Sequence, residues 1–141
     1  LVFAGLNILA ILVAAFAGFG VGAVWYTVLS RPWMAGNGIT GEDMQRRAAA
    51  GRPWLPFAIS FLSLVVMSWV LAGIVGHLGP GQVTVRNAVI SGGFVWAGFI
   101  VTTTATGHVF TGKPMKLILI DAGHWLAVLM VMGAVIGAFG V

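Results

Sequence analysis

The sequence predicts an all-α membrane protein: four transmembrane helices arranged as two antiparallel hairpins, plus a short amphipathic helix in the longest loop. Three observations predict it. Of 141 residues, 60% are hydrophobic and 7% charged, against about 25% charged in soluble domains, and the mean hydropathy is +1.05. Four apolar runs follow one another, and about 20 such residues, each rising about 1.5 Å, cross a bilayer core of about 30 Å. The loops between them hold nearly all the charges. A single four-helix domain fills the chain, and its expected partner is the lipid bilayer.

The first span is expected over residues 3–29, with Asn7 its only strongly polar residue. Arg31-Pro32 stops it with a charge and a residue that lacks an amide proton. Ala15-Phe16-Ala17 has the look of a cleavage site. No Lys or Arg precedes Arg31, however, and the apolar run continues to Leu29, so the segment is read as a retained span. Ala14, Gly18 and Gly22 follow at four-residue steps, a small-residue ridge that lets another helix backbone approach closely. Gly133 and Gly137 repeat that spacing in the last span.

The long loop carries its own helix signal: Thr40 as N-cap, Glu42 and Asp43 in the first turn, Arg46 and Arg47 later, and Gly51 as terminator. Trp33 and Trp54 flank the loop, with Trp25 and Tyr26 one turn inside. That pattern reads as an aromatic belt, with the short helix on the membrane surface. The second span is expected over residues 54–74, with Pro53 and Pro56 in its first turn and Ser60, Ser63 and Met67 on one face. His77, among Gly76, Gly79, Pro80 and Gly81, reads as a solvated turn residue.

The third span, residues 87–110, becomes polar near its end with Thr102, Thr103, Thr104, Thr106 and His108. Threonine hydroxyls in such helices bond back to their own carbonyls, so the run alone does not indicate a pore. The fourth span, residues 117–140, contains Asp121 and His124. Arg31, Arg46, Arg47, Arg52, Lys113 and Lys116 fall on one side and Arg86 on the other. The positive-inside rule then puts both termini outside a bacterial inner membrane. Arg31-Pro32 and Lys113-Pro114 end the odd spans alike, but topology alone produces that pattern, so it does not establish a repeat.

An unpaired carboxylate at the centre of a membrane helix costs about 2.5–3.5 kcal/mol on translocon scales, so Asp121 must face other helices, water or a partner. His124, three residues on, points to the same side. The short third loop brings His108 to the height of Asp121, with Thr104 one turn below it and Tyr26 reaching in from the first span. Three chemistries fit this polar cluster. Carboxylate and imidazoles can pass protons, because histidine changes charge near neutrality. His108, Asp121 and His124 could hold a divalent metal. The third possibility is a hydrogen-bonded clasp joining spans three and four, with Lys113 or Lys116 also meeting Asp121.

Other classes find little support. The seven basic residues are split among loops, without a continuous stripe of phosphate contacts, so no nucleic-acid partner is expected. There is no cysteine, which excludes disulfides, thiolate chemistry and Cys-based metal sites. No phosphate loop, nucleophile elbow or zinc-protease motif is present, so no catalytic residue and no cofactor are assigned.

Residues Asn7 to Ala15, Gly22-Ala23-Val24-Trp25-Tyr26, Gly38 to Met44, and Lys116 to His124 resemble the bacterial membrane family catalogued as domain of unknown function 1761. The likeness covers nearly the whole chain. It implies four spans and carries over no activity and no functional residue. The acid and imidazole pair inside an apolar span instead sets the expected function, a small homo-oligomeric protein that handles protons or cations at the Asp/His cluster. One alternative is a structural or accessory subunit of a larger membrane complex that docks through ridges such as Gly133 and Gly137. The other is a metal-dependent membrane enzyme.

Overall fold

A computed structural model describes residues 2–3 and 5–140. A minimal hairpin, β1 (Val2–Phe3) paired antiparallel with β2 (Leu6–Asn7), precedes the first long helix. Gly5 turns it at φ +80°, a backbone conformation that favours glycine. Helix α1 (Ile8–Val28) therefore begins five residues later than residue 3, where the apolar run starts. Asn7 is its cap rather than a buried polar residue, and its side chain accepts from the Ala10 amide at 3.2 Å.

Pro32 does not end the helical path. The chain bends at Leu29 and resumes as α2 (Ser30–Asn37), with Pro32 in the first turn, where a missing amide proton is harmless. Helix α3 (Gly41–Ala49) follows, closed by a reciprocal box in which Thr40 Oγ1 accepts from the Asp43 amide and Asp43 accepts from the Thr40 amide. The second span, α4 (Leu55–Gly76), runs two residues past the expected 74. His77 caps it, exposed, with Nδ1 2.7 Å from the Gly73 carbonyl. The third span is one continuous helix over Val85–Phe110. It comprises α5 (Val85–Val95), a π-helical turn (Trp96–Val101) and α6 (Thr102–Phe110). The fourth span is α7 (Met115–Phe139).

Among the described residues, four helices are thus long and apolar enough to cross a membrane, at Ile8–Val28, Leu55–Gly76, Val85–Phe110 and Met115–Phe139, and the fold is an all-α membrane type. Each span lies beside the next in sequence. α7 closes the ring by packing along α1 and makes its most extensive contact with α5. Its buried face, with Leu117, Val128, Leu129, Met132 and Ile136, forms much of the core. Phe16, Phe57, Leu62, Phe94, Phe99 and Leu119 point outward, exposed, as lipid-facing side chains must. The serine that α4 buries is Ser68, whereas Ser60 and Ser63 are exposed. The packed face of α4 runs Leu64, Ser68, Leu71, Ala72 and Val75, and Ser68 Oγ donates to the Ile11 carbonyl of α1 at 2.9 Å.

Small residues set the helix spacings. Ala14 is fully buried, and a methyl group on Gly18 would press on Met132, Val128 and Leu64. Gly133 lies against the Ala88 backbone, where a Cβ would sit 2.8 Å from the carbonyl oxygen, and Gly137 lies against Thr84 and Val85. These last two glycines are therefore used inside the protomer, between α5 and α7, and do not form an outward ridge. Gly137→Ala must push α5 off α7, since its methyl would overlap backbone that cannot rotate away. It is expected to lower stability in detergent by about 1–3 kcal/mol or more. Gly20→Ala meets nothing within 4 Å and is expected to leave the melting temperature unchanged or slightly raised.

The Asp43 carboxyl is held below the ordinary carboxylate range, chiefly by the Thr40 amide it accepts from and secondarily by the Thr40 hydroxyl. A depressed folded-state value stabilises above the unfolded value and is lost as pH falls through the folded one. Backbone NMR of Gly41–Ala49 should therefore show an intact α3 from neutral pH down to about pH 4 and loss of the helix below it. In Asp43→Asn that acid transition should disappear.

Candidate functional site

Helix α7 carries Asp121 into the bundle six residues after it starts. The carboxylate is largely enclosed there, its side chain 18% exposed beside a His108 side chain that is 16% exposed. Each carboxylate oxygen has its own donor. Tyr26 Oη of α1 donates to Oδ1 at 2.8 Å, and His108 Nε2 of α6 lies 2.7 Å from Oδ2. Bonds to an ionised carboxylate are roughly twice as strong as neutral ones. Asp121 thus ties three helices together.

Two tryptophans reinforce the same turn of α7. Trp25 Nε1 donates to the Ile120 carbonyl at 3.0 Å and Trp96 Nε1 to the Ala122 carbonyl at 2.7 Å. Neither contact is expected from the sequence, where Trp25 reads as part of a belt at the water boundary. It instead turns inward onto α7, beside Tyr26. The signal was an indole N–H inside an apolar span, which must find an acceptor.

The close approach rests on two glycines facing large side chains across the α1–α7 contact. A Cβ on Gly123 would lie 3.0 Å from the Trp25 ring, and one on Gly22 would lie 3.0 Å from His124 Nε2. His124 is 7% exposed, and its ring packs between Tyr26 and Trp125 at centroid distances of 4.7 and 4.6 Å. It makes no hydrogen bond to Asp121. Its Nδ1 is buried without a partner among the described residues, an uncommon state for a buried polar atom. Trp33 backs the other side of the phenol, edge-on at 6.0 Å.

His108 reaches α7 because of the π turn. Trp96 faces α7, and three α turns, about eleven residues, would bring Gly107 round to that side. A π turn holds roughly one residue more, so the position falls to His108. Side-chain burial follows this shifted register: Ile100, Thr104 and His108 are partly buried, and Thr103 and Gly107 are exposed. The threonine run serves the wide turn. Thr102 Oγ1 donates to the Gly98 carbonyl at 2.9 Å, and Thr103 Oγ1 donates to the Phe99 and Ile100 carbonyls. Thr104 shares the His108 face and makes no side-chain hydrogen bond to the cluster among the described residues.

Chemically, the site is a line of three groups with exchangeable protons: phenol, carboxylate, imidazole. Among the described residues, no three His, Asp or Glu side chains converge to hold a metal ion. His108 and Asp121 meet, and His124 turns to Gly22 instead. Asp121 also makes no ion pair with Lys113 or Lys116 among the described residues, both of which are exposed.

The register argument has a measurable consequence. Deleting Gly98 lets the turn close as ordinary α-helix with His108 still facing Asp121. Deleting Ala97 and Gly98 together swings His108 about 100° away. Imidazole NMR of His108 should respond to Asp121→Asn in the first variant and not in the second. Equal responses in both would contradict the register assignment.

The model of a family described as protein of unknown function, DUF1761, matches residues 9–137. No curated protein and no solved structure matches the chain. The family match runs from the first turn of α1 to the last turn of α7 and takes in Tyr26, His108, Asp121 and His124, and the chain belongs to the DUF1761 family.

Proposed function

We propose that this protein is a small proton-handling membrane protein of transport type, with Asp121 as the proton-binding group, Tyr26 and His108 as its exchange partners, and a homo-oligomer as the working unit. The observation that carries this reading is the pairing of an intramembrane carboxylate with an imidazole and a phenol rather than with a lysine or arginine. A permanent cation would hold the carboxylate charged, whereas an imidazole exists with one ring proton or two. His124, one turn deeper with a free Nδ1, is the next polar group in line. Beyond it the protomer core is Val128, Leu129, Met132 and Ile136, so a longer proton route would run between copies. The reading takes the end bearing Asp121 as the cytoplasmic side of a bacterial inner membrane, because the arginines of the first loop and the lysines of the third gather there.

One observation favours a second reading, a structural clasp in an accessory subunit. The four donor bonds from Trp25, Tyr26, Trp96 and His108 all converge on residues 120–122, as in a joint that only needs to hold. Reconstituted vesicles separate the two readings. Under the proton reading, wild-type protein collapses an imposed pH gradient. Asp121→Asn lowers the rate by an order of magnitude or more, and its amide keeps stability within about 1–3 kcal/mol of wild type. Under the clasp reading the wild type carries no flux, and the variants affect melting alone.

A further inference from the structure

Helix α3 is the element the bundle leaves uncovered. None of its residues is buried, and its capping box lets it persist without a neighbour. Met44 and Ala48, one turn apart on a common side, are exposed, while Glu42, Asp43, Arg46 and Arg47 occupy the remaining circumference. The charge around it is one-sided. Arg31, Arg46, Arg47 and Arg52 lie in the first connection and Lys113 and Lys116 in the third, all exposed, against only Glu42 and Asp43. Both connections lie at one end of the bundle, since Gly36 of α2 packs directly on Leu117 at the start of α7. Asp43 pairs with Arg46 at 2.7 Å. Arg31, Arg47, Arg52, Lys113 and Lys116 make no ion pair among the described residues.

We propose that α3 and this set of unpaired cations dock on the headgroups of anionic phospholipids, with Met44 and Ala48 turned toward the acyl boundary. Two small apolar contacts are too few to seat a partner helix. Free guanidinium and ammonium groups gathered at the same end of the bundle as a short apolar strip match a phosphate-bearing surface. Anionic headgroups supply the counter-charge that the protein withholds from these residues. The inference does not rest on Asp121.

The test compares amide hydrogen exchange of α3 in nanodiscs of phosphatidylcholine with that in nanodiscs of phosphatidylcholine plus phosphatidylglycerol. Protection over Gly41–Ala49 should rise several-fold in the anionic discs at low salt. The gain should vanish at about 1 M salt, where the screening length falls to about 3 Å. Arg47→Gln with Arg52→Gln should remove most of it, and Arg47→Lys with Arg52→Lys should restore it. These substitutions leave the Thr40–Asp43 box and the Asp43–Arg46 pair in place, so α3 itself survives. Equal protection in both lipids overturns the proposal, as does a lipid-dependent gain that the glutamine variant keeps. Protection that follows protein concentration instead of lipid charge would mean that a second copy covers α3, and would overturn it as well.

Discussion

The requirement that dominates this bundle is that a carboxylate carried into an apolar span must have both oxygens met. In water Asp121 would need nothing from its neighbours. Within a membrane span every unpaired lone pair is expensive, and the two donors, Tyr26 and His108, come from different helices. Meeting that requirement fixes where α1 and α6 stand relative to α7, to within the tolerance of a hydrogen bond. The apolar contacts could not do this alone, because lipid tails compete equally for leucine and valine, and helices there associate by close packing and polar ties. The glycines follow from the same constraint: Gly22 and Gly123 let α1 come near enough for Tyr26 to reach across.

The π turn arises from a conflict between two such constraints. At one end of the third span, Gly133 and Gly137 lock α7 against residues 84–88. At the other, Asp121 claims His108. The number of residues between these fixed points does not suit a whole number of α turns, and the helix absorbs the surplus as one wide turn at Trp96–Val101. Wide turns carry poorer backbone geometry, and here the Thr102 and Thr103 hydroxyls give its carbonyls additional donors. The threonine run thus supports the backbone that aims the histidine.

What the sequence disclosed follows the same physics. Span number and approximate limits were legible from length and hydropathy, and α3 from its capping residues. Charge in oil demands company, which pointed to Tyr26 and His108 beside Asp121, whereas His124 and Thr104, placed with them by helical spacing, make no hydrogen bond to it among the described residues. Faces were not legible. In a membrane the lipid side and the core side of a helix are both apolar, so periodicity, which sorts buried from exposed in water-soluble helices, is nearly silent. That is why nothing in the sequence separates Ser68, which is buried, from Ser60 and Ser63, which are exposed, and why Trp25 read as a boundary residue. The π turn was invisible for a different reason: it depends on the distance between two remote contacts and has no local composition. α2 was missed because Pro32 reads equally as the end of one helix and as the first turn of the next.

The choice of partner for Asp121 carries the functional argument. Lys116 lies five residues before it, about 140° round the helix and so off its face, and it is exposed and unpaired among the described residues. A lysine near a span end gains more by extending its long stem toward water than by turning inward. An imidazole has no such reach and stays where its helix aims it. The fold therefore leaves the fixed cations at the surface and gives the interior carboxylate a companion whose charge can change. A pair of that kind can hold helices together and, under the proposed reading, also exchange a proton. A carboxylate locked to a lysine could do only the first.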